Sequence, residues 1–299
     1  MTTRPLLFSV PSDQESLTTK MAQNFGALVN KQDNSLNVEI HFKDQGGLKQ
    51  GQELAALKDR NIDFATVSLS DLGAPFDALF RPYLFQGYEH LRRVVENEDF
   101  WKPFCARISE VLEVEVLSVI CIGGRQFATK ELIVDAPENL KGRVFRVPPG
   151  EAWKHMAHAF GAIPKSIGIG EVVQALENGT VDVVENPLPG MQVYKIDTVA
   201  TTITLSNHMT DLLLVVMSNQ VPLSLEQKKI VRDAAKTAQI WHDPKRREAE
   251  DRMLKAYQLS HQVRLAHEQD FRDAVNNYYA EHVLLNEEQR LWVAQVQRL

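Results

Sequence analysis

The sequence contains little cysteine and no long apolar run. Only two of its 299 residues are cysteine, Cys105 and Cys121, and neither belongs to a CxxC pair or to a His/Cys cluster with metal-ligand spacing. This pattern argues against a disulfide-rich scaffold or a structural zinc site, although it leaves a single disulfide open. Because no stretch approaches about 18 consecutive apolar residues, the sequence predicts no membrane-spanning helix.

The chain also lacks an excess of positive charge and the common catalytic motifs. A net charge of −6 argues against a nucleic-acid binder, since contacts to phosphates need a basic face. There is no GxSxG, Walker or HExxH motif, and "GIGEVV" (168–173) has only two glycines of a dinucleotide fingerprint. His155 and His158 lie three residues apart, but no carboxylate or cysteine joins them at metal-ligand spacing. We therefore predict no cofactor, no metal and no enzymatic activity.

What the sequence does contain is a regular alternation of strands and helices, which indicates an α/β protein. Four apolar segments predict the strands of a first block with a mostly parallel sheet: "LLFSV" (6–10), "LNVEIHF" (36–42), "IDFATVS" (62–68) and "VEVLSVICI" (114–122). Ser12 and Glu15 have the spacing of a capping box, which predicts a helix start directly after the first strand.

The alternation begins again after Gly123 and Gly124. "RVFRV" (143–147) and "TVDVV" (180–184) predict two further strands, with helices between them. From residue 224 to 260 nearly every residue favours helix, which at 1.5 Å per residue corresponds to about 50 Å. Pro244 interrupts this segment, so we expect a kink or a break there.

Polar residues follow the predicted strands of the second block. Arg146 is the next-to-last residue of "RVFRV", Asn186 follows "TVDVVE", and Arg125 follows the glycine pair. Ligands of open α/β sheets bind beyond the carboxyl ends of the strands, and an arginine fork matches a carboxylate. An asparagine side chain can donate and accept hydrogen bonds beside it. The pattern favours a small carboxylate that is bound without being transformed.

The residues around these positions resemble a known family. The segment 136–187 resembles the substrate-binding subunits of TRAP transporters, the DctP-type periplasmic proteins. The resemblance rests on "LKGRVFRV" (140–147), "GAIP" (161–164), "EVVQALENG" (171–179) and "VDVVENP" (181–187), with "GGRQF" (123–127) upstream and "TLSNH" (204–208) downstream.

The resemblance implies a fold and a set of ligand contacts. The fold is a two-domain periplasmic-binding-protein-like α/β fold with a long helix spanning both domains and a ligand cleft between them. Domain I comprises 1–122 plus 212–250, and domain II comprises 123–211 plus 251–299. By the resemblance, Arg146 pairs with the ligand carboxylate, Arg125 supports the same end of the ligand, and Asn186 lines the site. Weaker matches extend the site to Ser12, Gln14, Ser68, Ile169 and Asn207, of which Ile169 holds a place that is often aromatic.

The function implied is that of an extracytoplasmic solute-binding protein. It would capture a small organic acid by hinge closure and deliver it to the TRAP membrane permease subunits, in the periplasm and after removal of a signal peptide. Two alternatives stay open: an enzyme that processes an organic acid with the same arginine clamp, and a ligand sensor that passes its closure to a partner.

Overall fold

The computed structural model of the protein describes residues 4–43 and 45–299, which form two compact units. The first unit comprises the chain up to Leu72 together with Val95–Ile122 and Leu212–Arg246. The second comprises Gly73–Val94, Gly123–Asp211 and Arg247–Leu299. This division assigns 73–94 and 247–250 to the second unit, whereas the sequence analysis assigns them to domain I. The cleft expected between the domains stays a prediction.

The first unit is an α/β layer built on parallel strands. Its strands are β1 (Leu6–Val10), β2 (Val38–Phe42), β3 (Phe64–Ser68) and parts of β4 (Val114–Thr129) and β8 (Thr202–Ser218). Its helices are α1 (Leu17–Gln32), α2 (Glu53–Lys58), α4 (Glu98–Leu112) and the first part of α8 (Leu225–Ser260). The strands β1 and β2 and the strands β1 and β3 pair parallel, with β2 at the edge as its alternating sequence predicts, and β8 joins β3 antiparallel.

Three phenylalanines form the centre of the first unit. The ring centroids of Phe8 and Phe25 are 5.4 Å apart, and those of Phe25 and Phe64 are 5.2 Å apart. Each ring is completely buried, which stabilises the unit by about 1.5–3 kcal/mol per side chain. This packing explains why the strands and the apolar stripe of α1 form together: neither buries its apolar face alone.

The second unit repeats the α/β plan with a different strand order. Its strands are β5 (Val144–Val147), β6 (Ile163–Ser166), β7 (Val183–Pro187), β9 (Gln262–Leu265) and the remaining parts of β4 and β8. Its helices are α3 (Gly87–Glu96), α5 (Glu151–Ala159), α6 (Val172–Glu177), α7 (Leu188–Val193), α9 (Glu268–His282), α10 (Glu287–Arg298) and the second part of α8. In this sheet β5 lies between β6 and β7 and is parallel to both, whereas β4 and β7 are antiparallel.

The structure corrects three local predictions. The strand predicted to end at residue 122 continues to Thr129, because Gly123 and Gly124 serve close approaches inside β4 instead of a turn. A Cβ at Gly123, whose φ is +104°, would lie 1.8 Å from a carboxylate oxygen of Glu250. The helix α8 is continuous through Pro244, so the predicted break is wrong. The predicted capping box is also wrong, because Ser16 caps α1 and its hydroxyl accepts from the backbone N–H of Thr19 at 3.1 Å.

Candidate functional site

Arg146 is a buried cation in the second unit. It lies on β5, which ends where Pro148 and Pro149 interrupt the pattern of backbone hydrogen bonds, and only 2% of the residue is exposed. Its Nε donates to the carbonyl oxygen of Ile167 at 2.9 Å. Among the described residues, no carboxylate oxygen lies within 4.0 Å of the Arg146 guanidinium, the distance that defines an ion pair. Most of its five N–H donors are therefore available to an anion.

Burial changes the protonation chemistry of Arg146. Desolvation lowers its pKa to about 10, and the positive charge of Arg125 acts in the same direction, although Glu185 partly compensates. The guanidinium stays protonated at neutral pH, but its charge has lost water and has no carboxylate within 4.0 Å among the described residues. A bound anion would restore the missing interaction.

Asn186 lies on the same face of the sheet as Arg146. In the parallel pairing of β5 with β7, Phe145 is opposite Val183, so the next residue, Arg146, is opposite Val184. Because side chains alternate along a strand, Val184 and Asn186 share a face, and Arg146 lies on that same face. The sequence pattern predicts Asn186 after its strand, whereas in the structure it lies inside β7 and is 7% exposed.

Gly190 makes room for the Asn186 side chain. A Cβ at Gly190 would lie only 2.1 Å from Oδ1 of Asn186. A glycine in the first turn of α7 is therefore needed for the Asn186 amide to occupy its observed position.

Arg125 uses its guanidinium in a buried ion-pair network. Its Nε and Nη2 donate to the two carboxylate oxygens of Glu185, the latter at 2.7 Å, and its Nη1 donates to Asp211. The guanidinium also lies 4.8 Å from the ring centroid of Trp153. Burial alone would lower the pKa of Arg125, but the two carboxylates outweigh it and raise the pKa. The predicted contact of Arg125 with the ligand stays a prediction, and the structure adds that protein carboxylates already neutralise this arginine.

The two arginines extend from opposite faces of the sheet. In the antiparallel pairing of β4 with β7, Gln126 is opposite Asn186, so Arg125 and Glu185 belong to the other face. Arg146 and Asn186 thus share one face with Gln126, and the Arg125–Glu185 pair occupies the reverse side.

His208 supports the face that carries Arg125. Its ring stacks on Phe127 with centroids 4.5 Å apart, its Nδ1 lies 2.8 Å from Oγ of Ser206, and its Nε2 lies 3.6 Å from Glu185. Burial lowers the pKa of His208, despite the nearby Glu185 carboxylate. Burial would by itself raise the pKa of Glu185, but Arg125 and His208 lower it to about 2.

Asn207 is held by Gln126. The amide of Gln126 donates to Oδ1 of Asn207 at 2.7 Å and accepts from the backbone N–H of Asn207 at 2.9 Å. Asn207 has a φ of +43°, a conformation that asparagine tolerates better than most residues. A Cβ at Gly124 would lie 2.7 Å from Oδ1 of Asn207, so the second glycine of the pair also serves this contact.

Three predicted site residues lie in the first unit, at one end of its parallel strands. β1 and β3 pair parallel at Ser9 and Ala65; Ser12 follows β1 by two residues, and Ser68 is the last residue of β3. The Ser68 hydroxyl caps a short 3-10 helix by accepting from the backbone N–H of Ser70 at 3.3 Å. Gln14 is exposed. Their contacts with a ligand stay predictions.

Ile169 lies on the same unit as Arg146. It begins a short 3-10 helix, Ile169–Glu171, and packs half-buried against an apolar cluster that includes Val172 and Leu176. Its role as a wall of the ligand site also stays a prediction.

Within the described residues, neither Cys105 nor Cys121 forms a disulfide. No group of three or more potential metal ligands occurs within residues 4–43 and 45–299. In the same ranges, no helix has the length and apolar character needed to cross a bilayer.

The whole-chain sequence decides the family. The model of the bacterial extracellular solute-binding proteins, family 7 (DctP), matches residues 8–285. The chain belongs to the DctP family.

Curated relatives of this DctP-family chain are distant. It is 28% identical to the C4-dicarboxylate-binding periplasmic protein DctP of Rhodobacter capsulatus over 196 residues, which cover 63% of this chain and 57% of that protein. It is 28% identical to the sialic acid-binding periplasmic protein SiaP of Vibrio cholerae over 181 residues, which cover 60% of this chain and 56% of that protein. The matched region thus spans a little over half the length of these relatives.

Solved structures confirm the fold. A TRAP periplasmic solute-binding protein from Roseobacter denitrificans, with bound β-D-glucuronate, has a TM-score of 0.90 at 20% identity and covers 98% of this chain and 99% of its own. Another from Pseudomonas aeruginosa, with bound L-malate, has a TM-score of 0.83 at 18% identity and covers 94% of this chain and 100% of its own. The predicted periplasmic-binding-protein-like α/β fold with a long helix is confirmed.

Sequence reasoning missed the acidic partners of Arg125. Neither Glu185, inside "VDVVENP" (181–187), nor Asp211 is among the predicted site residues. The alternation of β7 contained a signal for Glu185, because Val183 and Glu185 share a face and a charge on a buried face needs a partner. No sequence pattern indicated the contacts of Gln126 with Asn207 or of Trp153 with Arg125.

Proposed function

We propose that the chain is the extracytoplasmic solute-binding subunit of a TRAP transporter. It binds a small organic acid through Arg146 and delivers it to the membrane permease subunits. Family membership supports the transport role, and the curated relatives, which are named as periplasmic binding proteins, support the periplasm as its location.

The contrast between the two buried arginines is the observation that carries this proposal. Arg125 has two carboxylate partners, whereas Arg146 has none among the described residues within 4.0 Å. A buried charge without a partner is costly, so the fold retains Arg146 at the expense of stability. A ligand carboxylate that accepts two parallel hydrogen bonds from the guanidinium would offset that cost and gain affinity from it.

Known ligands of similar proteins support the carboxylate class. The curated relatives are named for C4-dicarboxylates and sialic acid, and the similar solved structures hold β-D-glucuronate and L-malate. The feature that these compounds share is a carboxylate. Asn186, on the same face as Arg146, supplies an amide that can donate to and accept from hydroxyl groups beside that carboxylate.

The geometry gives no support to an organic-acid-processing enzyme. A general base works best with a pKa near the operating pH, whereas Arg125 and His208 lower the pKa of Glu185 to about 2 against the effect of burial. Glu171, another carboxylate of the second unit, is exposed on the short 3-10 helix. No observation favours the sensor alternative over transport.

Thermal melting against a panel of acids tests the proposal. The panel contains D-glucuronate, D-galacturonate, L-malate, sialic acid and D-erythronate, with the uncharged sugars glucose and galactose as controls. A ligand at 100 times its Kd stabilises the folded state by about 2.7 kcal/mol, which shifts the melting temperature measurably. We expect a shift with an acid, none with its uncharged counterpart, and loss of the shift in Arg146→Lys.

Ligand that remains bound during purification would hide such a shift. Mass spectrometry of the denatured protein and refolding before the melt remove that ambiguity. A refolded, ligand-free protein that responds to no carboxylate, or that responds equally to the uncharged sugars, would contradict the proposal.

A further inference from the structure

A cavity of about 280 Å³ lies within the second unit, lined by other residues than the proposed Arg146 site. Most of the lining residues that the structure describes are polar, and none of them is acidic. The arginine and amide side chains of the lining belong to Arg81, Gln86, Gln269, Arg272, Asn276 and Gln297.

One face of the helix α9 lines this cavity. Gln269, Arg272 and Asn276 are spaced three and four residues apart, which places them on the same side of the helix. The opposite wall is the segment 81–86, between a short 3-10 helix and α3. Two elements distant in sequence therefore contribute one arginine each.

Arg81 is the main charge of the cavity. Its guanidinium lies 4.7 Å from the ring centroid of Tyr279, and its Nη2 donates to Oδ1 of Asn276 at 2.8 Å. Within residues 4–43 and 45–299, no carboxylate lies within 4.0 Å of it. Desolvation lowers the pKa of Arg81, which agrees with a guanidinium that has lost water and has no carboxylate within 4.0 Å in the part of the chain that the structure describes.

Arg272 adds a second, partly neutralised charge. Its Nη2 contacts Glu268 at 3.1 Å, and its guanidinium lies 4.7 Å from the ring centroid of Tyr83. Glu268 does not line the cavity, so the lining itself carries two positive charges in a chain of net charge −6. Such a local concentration of one charge in a concave surface attracts anions.

Tyr83 fixes the segment 81–86 in place. Its backbone N–H donates to the carbonyl of His208 at 2.9 Å, and its hydroxyl donates to the carbonyl of Ser206 at 3.2 Å. It adopts a φ of +59°, which is uncommon for a bulky residue and persists only where the surroundings hold it. The wall that carries Arg81 is therefore preorganised.

We propose that this cavity is a second binding site, for a small hydroxylated carboxylate. Arg81, supported by Arg272, would bind the carboxylate, and the amides of Gln86, Gln269 and Gln297 would bind hydroxyl groups. The volume of about 280 Å³ is just below the range of about 300–1,000 Å³ that is usual for small-molecule pockets, which fits a small acid and not a large one. This inference does not depend on the role proposed for Arg146.

Equilibrium dialysis with radiolabelled D-glucuronate and L-malate, extended to millimolar concentration, tests the second site by counting bound equivalents. The full chain is compared as wild type, Arg146→Lys, Arg81→Gln and the matched control Arg264→Gln, an exposed arginine of β9 in the same unit that does not line the cavity. Circular dichroism checks that each variant is folded, and Arg81→Lys serves if Arg81→Gln is not.

We expect wild type and Arg264→Gln to bind two equivalents of at least one acid. Arg81→Gln should weaken one of them by about tenfold or more, because a charge-assisted hydrogen-bond donor is lost, and should leave the other unchanged. Arg146→Lys should retain the equivalent that depends on Arg81. A single equivalent in wild type for both acids, or two equivalents that Arg81→Gln and Arg81→Lys leave unchanged, would overturn the second site. If Arg146→Lys changes neither equivalent, the proposed function fails while the second site stands.

Discussion

Replacing Glu185 with glutamine tests the buried ion-pair network most sharply. The change keeps the size of the side chain and removes its charge, so that Asp211 is the one carboxylate among the described residues that still pairs with Arg125. Removing one partner of a buried ion pair costs about 3–5 kcal/mol, and the remaining contact with Asp211 favours the lower end of that range. The pKa gives a similar figure, because a value lowered from 4.5 to about 2 corresponds to about 3 kcal/mol of stabilisation of the charged form.

The expected result is a loss of about 3 kcal/mol in the free energy of unfolding at pH 7, measured by urea denaturation with circular dichroism. Glu171→Gln, which removes an exposed carboxylate in the same unit, is the control and should change stability by less than about 0.5 kcal/mol. Because the pKa of Glu185 is lowered in the folded state, its contribution is complete above about pH 4.5 and is lost as the pH falls towards 2. The difference between wild type and Glu185→Gln should shrink over that interval. A loss of less than 1 kcal/mol at pH 7, or a difference that grows on acidification, would refute the reasoning.

Two further changes probe the second unit's Asn186 and the first unit's core. In Gly190→Ala the new methyl group would overlap with Oδ1 of Asn186, so we expect carboxylate affinity to fall roughly five- to tenfold by titration calorimetry, since one hydrogen bond contributes about 1 kcal/mol. Gly170→Ala, which has open space around its Cβ position, is the matched control, and equal affinities in both variants would contradict the role of Asn186. Phe25→Ala empties the centre of the aromatic cluster and should reduce the free energy of unfolding by about 3–5 kcal/mol in urea denaturation. Leu225→Ala, at a residue that is 87% exposed, should leave it nearly unchanged, and similar losses in the two variants would show that the cluster is not the core.

Most of the fold could be predicted because its signals are local. The alternating pattern of Val38–Phe42 indicated an edge strand, and the helix-forming run from residue 224 gave α8 to within one residue of its observed start. The long strands β4 and β8 could not be predicted in full. Gly123 and Gly124 have the composition of a turn, and only the side chains of Glu250 and Asn207, distant in sequence, explain why glycine is needed inside β4.

The candidate site was predictable to a smaller extent. Arg146 could be found because a charge at the end of an apolar strand is conspicuous, and the family resemblance added its role. The sequence could not show that its guanidinium has no carboxylate within 4.0 Å among the described residues, since this depends on how the unit packs. Likewise, Asp211 becomes a partner of Arg125 only when β8 lies next to β4. Sequence patterns fix which face a side chain takes, but not which distant residue it meets there.

The affinity of Arg146→Lys for the acid identified by the panel is the most direct test of the account. Lysine keeps the positive charge and loses the planar fork, so we predict a Kd increased by about ten- to a hundredfold with an unchanged melting temperature of the ligand-free protein. Arg143→Lys, an exposed arginine three residues earlier in the chain, is the control and should bind as wild type does. An Arg146→Lys variant that binds the acid as tightly as wild type would contradict the claim that Arg146 holds the carboxylate.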